Sequence, residues 1–220
     1  MTARRVIAAL GVVVAVTAAL TIGGVLGAAW QDHRTSADRS HNPSATDIGF
    51  AQDMSVHHDQ AILMGRSLSR DVAPDVSGLA DRIVAAQTAE VARMRAMLLW
   101  FGAPLTSSTP MAWMTDASGH GHRTMGTSTS EEPRMEGMAG IGELTRLANL
   151  HGRAAEILFL QLMIRHHEGG LTMAVATHND PTASETTRAM ALTMIGEQGD
   201  EIGRMTMLLR DRGAQPLPHP

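Results

Sequence analysis

A column of sulfur and nitrogen donors is the feature of this sequence best suited to chemistry. His57 and His58 follow Met54, and Met64 comes seven residues after the first histidine. On a helix, residues three and four apart share a face, so Met54 lies beside both histidines and Met64 returns to the same side. Thioether and imidazole together suit soft or borderline transition metals. The segment therefore predicts a metal-binding face on one helix.

The same column occurs a second time, at an offset of 109 residues. Between 47–64 and 156–173, seven of the eighteen positions are identical, and the acids Asp47 and Glu156 match in type. A histidine or a methionine stripe in a single copy is more often core packing than a metal site. Retention of both donor types in two copies, while most positions between them differ, favours metal binding. The predicted ligands are Met54, His57, His58, Met64, Met163, His166, His167 and Met173.

A second duplicated pattern, at an offset of 111 residues, places polar groups in otherwise apolar helical stripes: Gln87 and Glu90, then Gln198 and Glu201. A buried carboxylate needs a partner, because an unpaired buried charge is costly. Three interpretations stay open for the glutamates. They accept an imidazole N–H and so orient a ligand, they bind a harder metal directly, or they form surface ion pairs with the arginine three residues on.

Composition limits the metal and the class of protein. There are 16 Met, 11 His and no Cys among the 220 residues, so soft-metal chemistry must use thioether and imidazole, a choice that suits an oxidising compartment. Copper is the first candidate, with iron or zinc possible. No Glu-x-x-His motif is present, which weakens a di-iron interpretation. The net charge of -4 gives no basic excess for binding nucleic acid.

Helical periodicity and breaks define the elements that must position these residues. Each segment repeats its apolar residues at helical spacing, and the low aromatic content of 3% favours helices over strands. Pro74 and Pro181 separate the helices of each pair, and Gly102 and Gly213 end the second helices. We predict an all-α protein, a four-helix bundle built from two repeated hairpins.

The domain boundaries follow from composition. Residues 1–29 contain basic residues and then a long apolar run, typical of a signal peptide or a membrane anchor, and 30–45 form a polar tether. The duplicated domain spans 46–213, with repeats at 46–102 and 141–213, and 214–220 is a tail. The connecting linker, 103–140, is rich in Ser, Thr, Gly, Met and His. Its Met and His either capture metal or reflect biased composition alone.

The motifs Phe50-x3-Met54-x2-His57-His58-Asp59 and Phe159-x3-Met163-x2-His166-His167-Glu168 resemble those of a bacterial family called domain of unknown function 305. The resemblance covers roughly 46–213. It implies a ferritin-like fold, export from the cytoplasm and a copper-binding or copper-handling role, and it carries the ligand expectation onto the eight Met and His residues named above. This chain departs from its own first copy at Gly169-Gly170, which predicts either a more flexible second site or a closer helix approach.

Three functions remain to be distinguished. The first is an extracytoplasmic protein that sequesters or passes on copper through its Met and His residues, held at the membrane by its N-terminal segment or secreted after cleavage. The second is a ferritin-like metal-dependent oxidoreductase. The third is a helical interaction module that binds no metal. The sequence predicts neither a particular enzymatic activity nor a particular protein partner.

Overall fold

The computed structural model of this protein describes residues 42–114 and 135–217. The predicted signal peptide or anchor, most of the predicted tether and the middle of the linker lie outside these ranges. Within them there are five α-helices and no strand: α1 (Ala45–Ser67), α2 (Pro74–Trp100), α3 (Ile141–Asn149), α4 (Gly152–Asn179) and α5 (Glu185–Asp211). The predicted all-α class is confirmed. None of these helices is long and apolar enough to cross a membrane.

The helix ends follow the local sequence. Ser44 caps α1, and its side chain and the carboxylate of Asp47 satisfy each other's backbone N–H groups in a capping box. Pro74 occupies the first position of α2, where its missing N–H costs no hydrogen bond. Gly102 and Gly213 follow the C-caps of α2 and α5 with φ of 65° and 68°, the left-handed conformation that glycine adopts without penalty.

The four long helices form two hairpins, α1 with α2 and α4 with α5, joined by a long connection as in ferritin-like bundles. Helices α1 and α4 also pack against each other and run antiparallel, because Thr46 donates to Asp180 at 2.7 Å while Ser69, at the far end, contacts His151 at 3.0 Å. The predicted four-helix bundle of two hairpins is confirmed. The short helix α3 was not predicted, and it buries Leu147 against the bundle.

Each hairpin supplies a carboxylate that accepts a backbone N–H at the start of a helix in the other hairpin. The Asp47 carboxylate on α1 accepts the backbone N–H of Ser184 at 2.9 Å, at the start of α5. In the other half, the Glu156 carboxylate on α4 accepts the backbone N–H of Ala73 at 2.7 Å, at the start of α2. Acidic groups at helix N-termini stabilise the free N–H groups there. The matching acids of the two copies therefore tie the hairpins together in a reciprocal arrangement.

Both described ends of the linker are seated on α1. The indole N–H of Trp113 donates to Asp53 at 2.8 Å, within a short 3-10 helix at Ala112–Met114. Further along, the side-chain amide of Gln60 pairs with the backbone of Ala139, donating to its carbonyl at 3.0 Å and accepting its N–H at 2.6 Å. These two pieces of the linker are thus part of the packed domain.

Candidate metal centre

The two repeats meet at the first histidine of each pair. The rings of His57 on α1 and His166 on α4 are stacked, with centroids 3.8 Å apart and an interplanar angle of 30°. Both residues are 1% exposed. The Nε2–H of His166 donates to the backbone carbonyl of His57 at 3.0 Å. The crossing of α1 and α4 therefore brings the two histidine pairs together inside the bundle.

The second histidine of each pair is held by a glutamate of its own hairpin. The Nε2–H of His58 donates to Glu90 on α2 at 2.7 Å, and the Nε2–H of His167 donates to Glu201 on α5 at 2.8 Å. Glu90 is buried, whereas the Glu201 side chain is 18% exposed. A carboxylate that accepts one ring N–H fixes the orientation and the tautomer of an imidazole. This geometry matches one of the three interpretations of the glutamates.

All four histidines use the same ring nitrogen for hydrogen bonding. Each uses Nε2 for its hydrogen bond, and His57 donates from Nε2 to the carbonyl of Glu136 at 3.3 Å. The Nδ1 atoms of His57, His58, His166 and His167 are buried, and none has a hydrogen-bond partner within the described parts of the chain. In a neutral imidazole whose proton is on Nε2, Nδ1 carries a free lone pair. Such a lone pair is what a metal ion accepts.

Burial keeps the rings of His57, His58 and His166 neutral. Desolvation lowers the pKa of His57 and of His58 from 6.5 to about 3, and the neighbouring histidines act in the same direction. The pKa of His166 also lies well below 6.5, first because of burial and then because of His57. Burial raises the pKa of the Glu90 carboxyl. At neutral pH, these imidazoles therefore need no deprotonation before they bind a metal.

The structure divides the predicted methionine ligands between the two sides of the histidines. All four methionines are fully buried. Met54 and Met173 belong to one apolar cluster, together with Phe50, whereas Met64 and Met163 belong to the other. Each cluster thus takes one methionine from each copy. The sequence predicted one column of Met and His donors in each copy. Because α1 and α4 cross antiparallel, the first methionine of one column shares a cluster with the last methionine of the other.

The donor types fit a soft or borderline metal, although the described residues do not form a complete coordination sphere. Within 42–114 and 135–217, no group of three or more His, Asp or Glu residues is arranged to hold one ion. Four imidazole nitrogens without a partner in these ranges, on helices that also carry buried methionines, nevertheless supply donor types suited to such an ion. Gln87 and Gln198 are buried as predicted, and each leaves one amide atom without a partner in the described ranges, Oε1 and Nε2 respectively.

The 135–140 segment packs over the histidines, a contact that the sequence analysis missed. Besides accepting from His57, Glu136 places its carbonyl oxygen against Gly169, where a Cβ would lie 2.0 Å from that oxygen. A Cβ on Gly137 would lie 2.4 Å from the carbonyl oxygen of Arg165. Only glycine permits such backbone approaches. The Gly169-Gly170 departure was the available signal, but the group that approaches Gly169 is linker backbone and not the neighbouring helix that the sequence analysis had considered.

Gly170 serves a second close approach. A Cβ there would lie 2.4 Å from the side-chain oxygen of Gln198 on α5. The first copy has Ala61 at the matching position. The second copy therefore has glycine at the two positions where the 135–140 segment and the buried Gln198 come close, whereas the first copy has no glycine at either matching position.

Comparisons with known proteins agree with this architecture. The family model described as domain of unknown function DUF305 matches residues 47–209. A crystal structure of a candidate secreted DUF305 protein from Streptomyces coelicolor is 33% identical, covers 79% of this chain and 96% of that chain, and has a TM-score of 0.68. A DUF305 fragment from Deinococcus radiodurans is 28% identical, with coverages of 77% and 99% and a TM-score of 0.61.

A third structure, CopM in the Cu(II)-bound form, has a TM-score of 0.52 over 75% of this chain and 96% of that one. At 21% identity, this likeness extends to the fold alone. No curated protein matches this chain.

Proposed function

This chain belongs to the DUF305 family, and from that premise we propose that it binds copper outside the cytoplasm, to sequester it or pass it on. The copper ion is the cargo of the protein. Its binding site is the composite centre that the two histidine pairs form between α1 and α4.

One observation carries the proposal: four buried imidazoles keep Nδ1 free while Nε2 is tied to a fixed acceptor. A core histidine without a ligand normally satisfies both ring nitrogens, because an unsatisfied buried polar atom costs about 1–3 kcal/mol. Four such costs at one helix crossing are difficult to explain as packing alone. Metal binding would use all four lone pairs or a subset of them.

The donors favour copper over other metals. His57, His58, His166 and His167 would supply imidazole nitrogen, which suits Cu(II) and Cu(I). Thioether from Met54 and Met173 on one side, or from Met64 and Met163 on the other, would add preference for Cu(I). Glu90 and Glu201 would hold the second imidazole of each pair in the binding tautomer. The Cu(II)-bound form of CopM, whose fold is similar, supports copper as the metal to test first.

Two observations support a location outside the cytoplasm. The N-terminal sequence has the basic residues and apolar run of an export signal or an anchor. The Streptomyces coelicolor structure is that of a candidate secreted protein. A reporter that is active only outside the cytoplasm, fused after residue 45, should therefore be active, and a cytoplasmic fusion product would contradict the location.

The proposal is tested by titrating the full chain with Cu(II) in the wild type and in two pair variants. The first carries His57→Gln with His58→Gln, and the second carries His166→Gln with His167→Gln. Because both pairs contribute to one centre, either variant should lose tight Cu(II) binding while keeping its helical circular dichroism spectrum. Unchanged affinity and stoichiometry in both folded variants would reject the centre.

A further inference from the structure

The last turn of α2 exposes large apolar side chains. Trp100 is 85% exposed and Leu99 is 66% exposed, and Phe101 and Leu105, which follow them, are also exposed. A single exposed leucine is ordinary on a protein surface, but three consecutive apolar residues that include a tryptophan are not. These four residues are called the tryptophan patch.

The equivalent turn of the second hairpin has the same backbone but a different surface. The offset of 111 residues that relates α2 to α5 matches Leu99 with Arg210 and Trp100 with Asp211. A glycine follows each helix, with φ of 65° and 68°, and its N–H donates to the carbonyl three residues earlier, at 3.1 Å after α2 and 2.8 Å after α5. Because both turns make the same hydrogen bond, the fold does not require apolar side chains at 99 and 100.

The tryptophan patch lies at the end of the bundle where the N-terminal residues join the domain. Helices α1 and α2 form a hairpin, and the side chain of Gln52, near the start of α1, donates to the carbonyl of Pro104 at 2.7 Å. The apolar run 6–29 leads to α1 through the tether 30–45. The other end of α2 lies about 40 Å away, since a helix rises about 1.5 Å per residue. A membrane that held the apolar run would therefore be tethered to the patch end of the domain.

The sequence around the patch carries no charge. No Asp, Glu, Lys, Arg or His occurs from 96 to 115, whereas 18% of the whole chain is charged. Moving a charged side chain out of water is costly, so an uncharged surface enters a lipid headgroup region more readily than a charged one. Tryptophan is enriched at membrane interfaces, because its ring is apolar while its N–H can still bond to water or headgroups. A lipid surface therefore suits the patch.

We propose that the tryptophan patch inserts into the interfacial region of a lipid bilayer and holds this end of the domain against the membrane. The proposal depends neither on copper nor on the histidine centre. It places the indole of Trp100 at the level of the lipid headgroups. If cleavage removes the apolar run, the patch is a lipid contact that the domain keeps.

Quenching of tryptophan fluorescence by brominated lipids tests this depth. The full chain, with Trp30→Phe to remove the tryptophan beside the apolar run, is reconstituted into vesicles of phosphatidylcholine and phosphatidylglycerol. The emission of Trp100 is obtained as the difference from the same chain with Trp100→Gln, because Trp113 is buried and is common to both. Bromines placed near the headgroups should quench Trp100 at least twofold more strongly than bromines at the bilayer centre.

The second hairpin supplies a matched control. Trp100→Gln together with Asp211→Trp moves the tryptophan to the equivalent exposed position after α5 begins its last turn, at the other end of the bundle. Brominated lipids should leave the emission of this tryptophan unchanged, in a variant that keeps its helical circular dichroism spectrum. Equal quenching at the two positions would contradict a lipid contact confined to the α2 end.

Acrylamide, a quencher in the water phase, separates the remaining outcomes. Shielding of Trp100 from acrylamide, together with quenching by brominated lipids, supports the proposal. Shielding without quenching by brominated lipids would mean that protein covers the patch, either another segment of the chain or a second copy, and would overturn the lipid contact. Free access of acrylamide to Trp100 in the vesicles would overturn it as well, because the patch would then face water.

Discussion

His57 and His166, the first histidines of the two copies, lie face to face with ring centroids 3.8 Å apart at the crossing of α1 and α4. Their flanking partners, His58 and His167, are each tied to a glutamate of their own hairpin. The duplication therefore brings the two histidine pairs to one helix crossing. The proposed centre, which uses both pairs, makes the contributions of the two copies interdependent, and that interdependence can be measured.

The glutamates should matter for metal affinity through the imidazoles that they orient. Glu90→Gln or Glu201→Gln removes a carboxylate that accepts an imidazole N–H, and such losses typically weaken metal binding about 10–100-fold. The measurement is a competition titration of Cu(II) against a chelator of known affinity. Asp200→Asn is the matched control, because Asp200 is an exposed carboxylate next to Glu201. Equal effects of all three changes would mean that overall charge, not orientation, controls affinity.

The close approach at Gly169 should appear as a stability difference between two glycine substitutions. Gly203 on α5 has open space where a Cβ would be, whereas a Cβ on Gly169 would meet the Glu136 carbonyl at 2.0 Å. Both Ala substitutions gain about 1 kcal/mol of helix propensity, but only Gly169→Ala adds a clash, costing about 1–3 kcal/mol. Gly169→Ala should therefore be less stable than Gly203→Ala by about 1–3 kcal/mol in urea unfolding. Equal stabilities would show that the 135–140 segment does not pack there.

The buried histidines should make the metal-free domain sensitive to acid. The pKa of His57 and of His58 is lower in the folded protein than in the unfolded chain, so between pH 6.5 and about 3 the unfolded chain binds more protons at these two residues. The free energy of unfolding is therefore at its full value above pH 6.5 and falls as the pH drops below it. For His57 and His58 together, the slope approaches about 2.7 kcal/mol per pH unit. The raised pKa of Glu90 offsets part of this loss as the pH falls towards 4.5, the ordinary pKa of a glutamate.

Urea unfolding in the presence of a chelator, at pH 7.5, 6.5 and 5.5, measures this slope. The variant with His57→Gln and His58→Gln should show a weaker dependence on pH. His151→Gln should leave the dependence of the free energy of unfolding on pH as in the wild type, because the His151 side chain is 73% exposed. A wild-type stability that stays constant from pH 7.5 to 5.5 would mean that the histidines take up protons as readily in the folded domain as in the unfolded chain, which contradicts the lowered pKa.

The methionines should separate the two oxidation states of copper. Met54, Met64, Met163 and Met173 changed together to Leu keep size and apolar character, so folding is retained at a modest cost. In this variant, binding of Cu(I), the softer ion, should weaken more than binding of Cu(II). In a variant with His57, His58, His166 and His167 all changed to Gln, binding of Cu(II) should weaken more than binding of Cu(I). Parallel titrations with both ions test this difference. Equal losses of both ions in the methionine variant would assign the methionines to packing alone.

Much of the fold could be predicted because helical periodicity, prolines and terminal glycines are local signals. The duplicated Met and His pattern likewise identified residues that the structure buries at one crossing. The sequence could not show that α1 and α4 pack antiparallel. Met54 was therefore grouped with Met64, although it belongs to the same apolar cluster as Met173. The contact of the Glu136 carbonyl with His57 involves backbone, and only the small size of Gly169 marked it in the sequence.

Pulsed EPR of the full chain loaded with one equivalent of Cu(II) tests most directly whether histidines of both copies bind one copper ion. The spectrum should show coupling to the remote nitrogen of at least two imidazoles, because Nδ1 binds the ion while Nε2 stays hydrogen-bonded. Changing either histidine pair to Gln should abolish that spectrum. A spectrum without imidazole coupling, or one that persists when all four histidines are replaced, would contradict copper binding by these histidines.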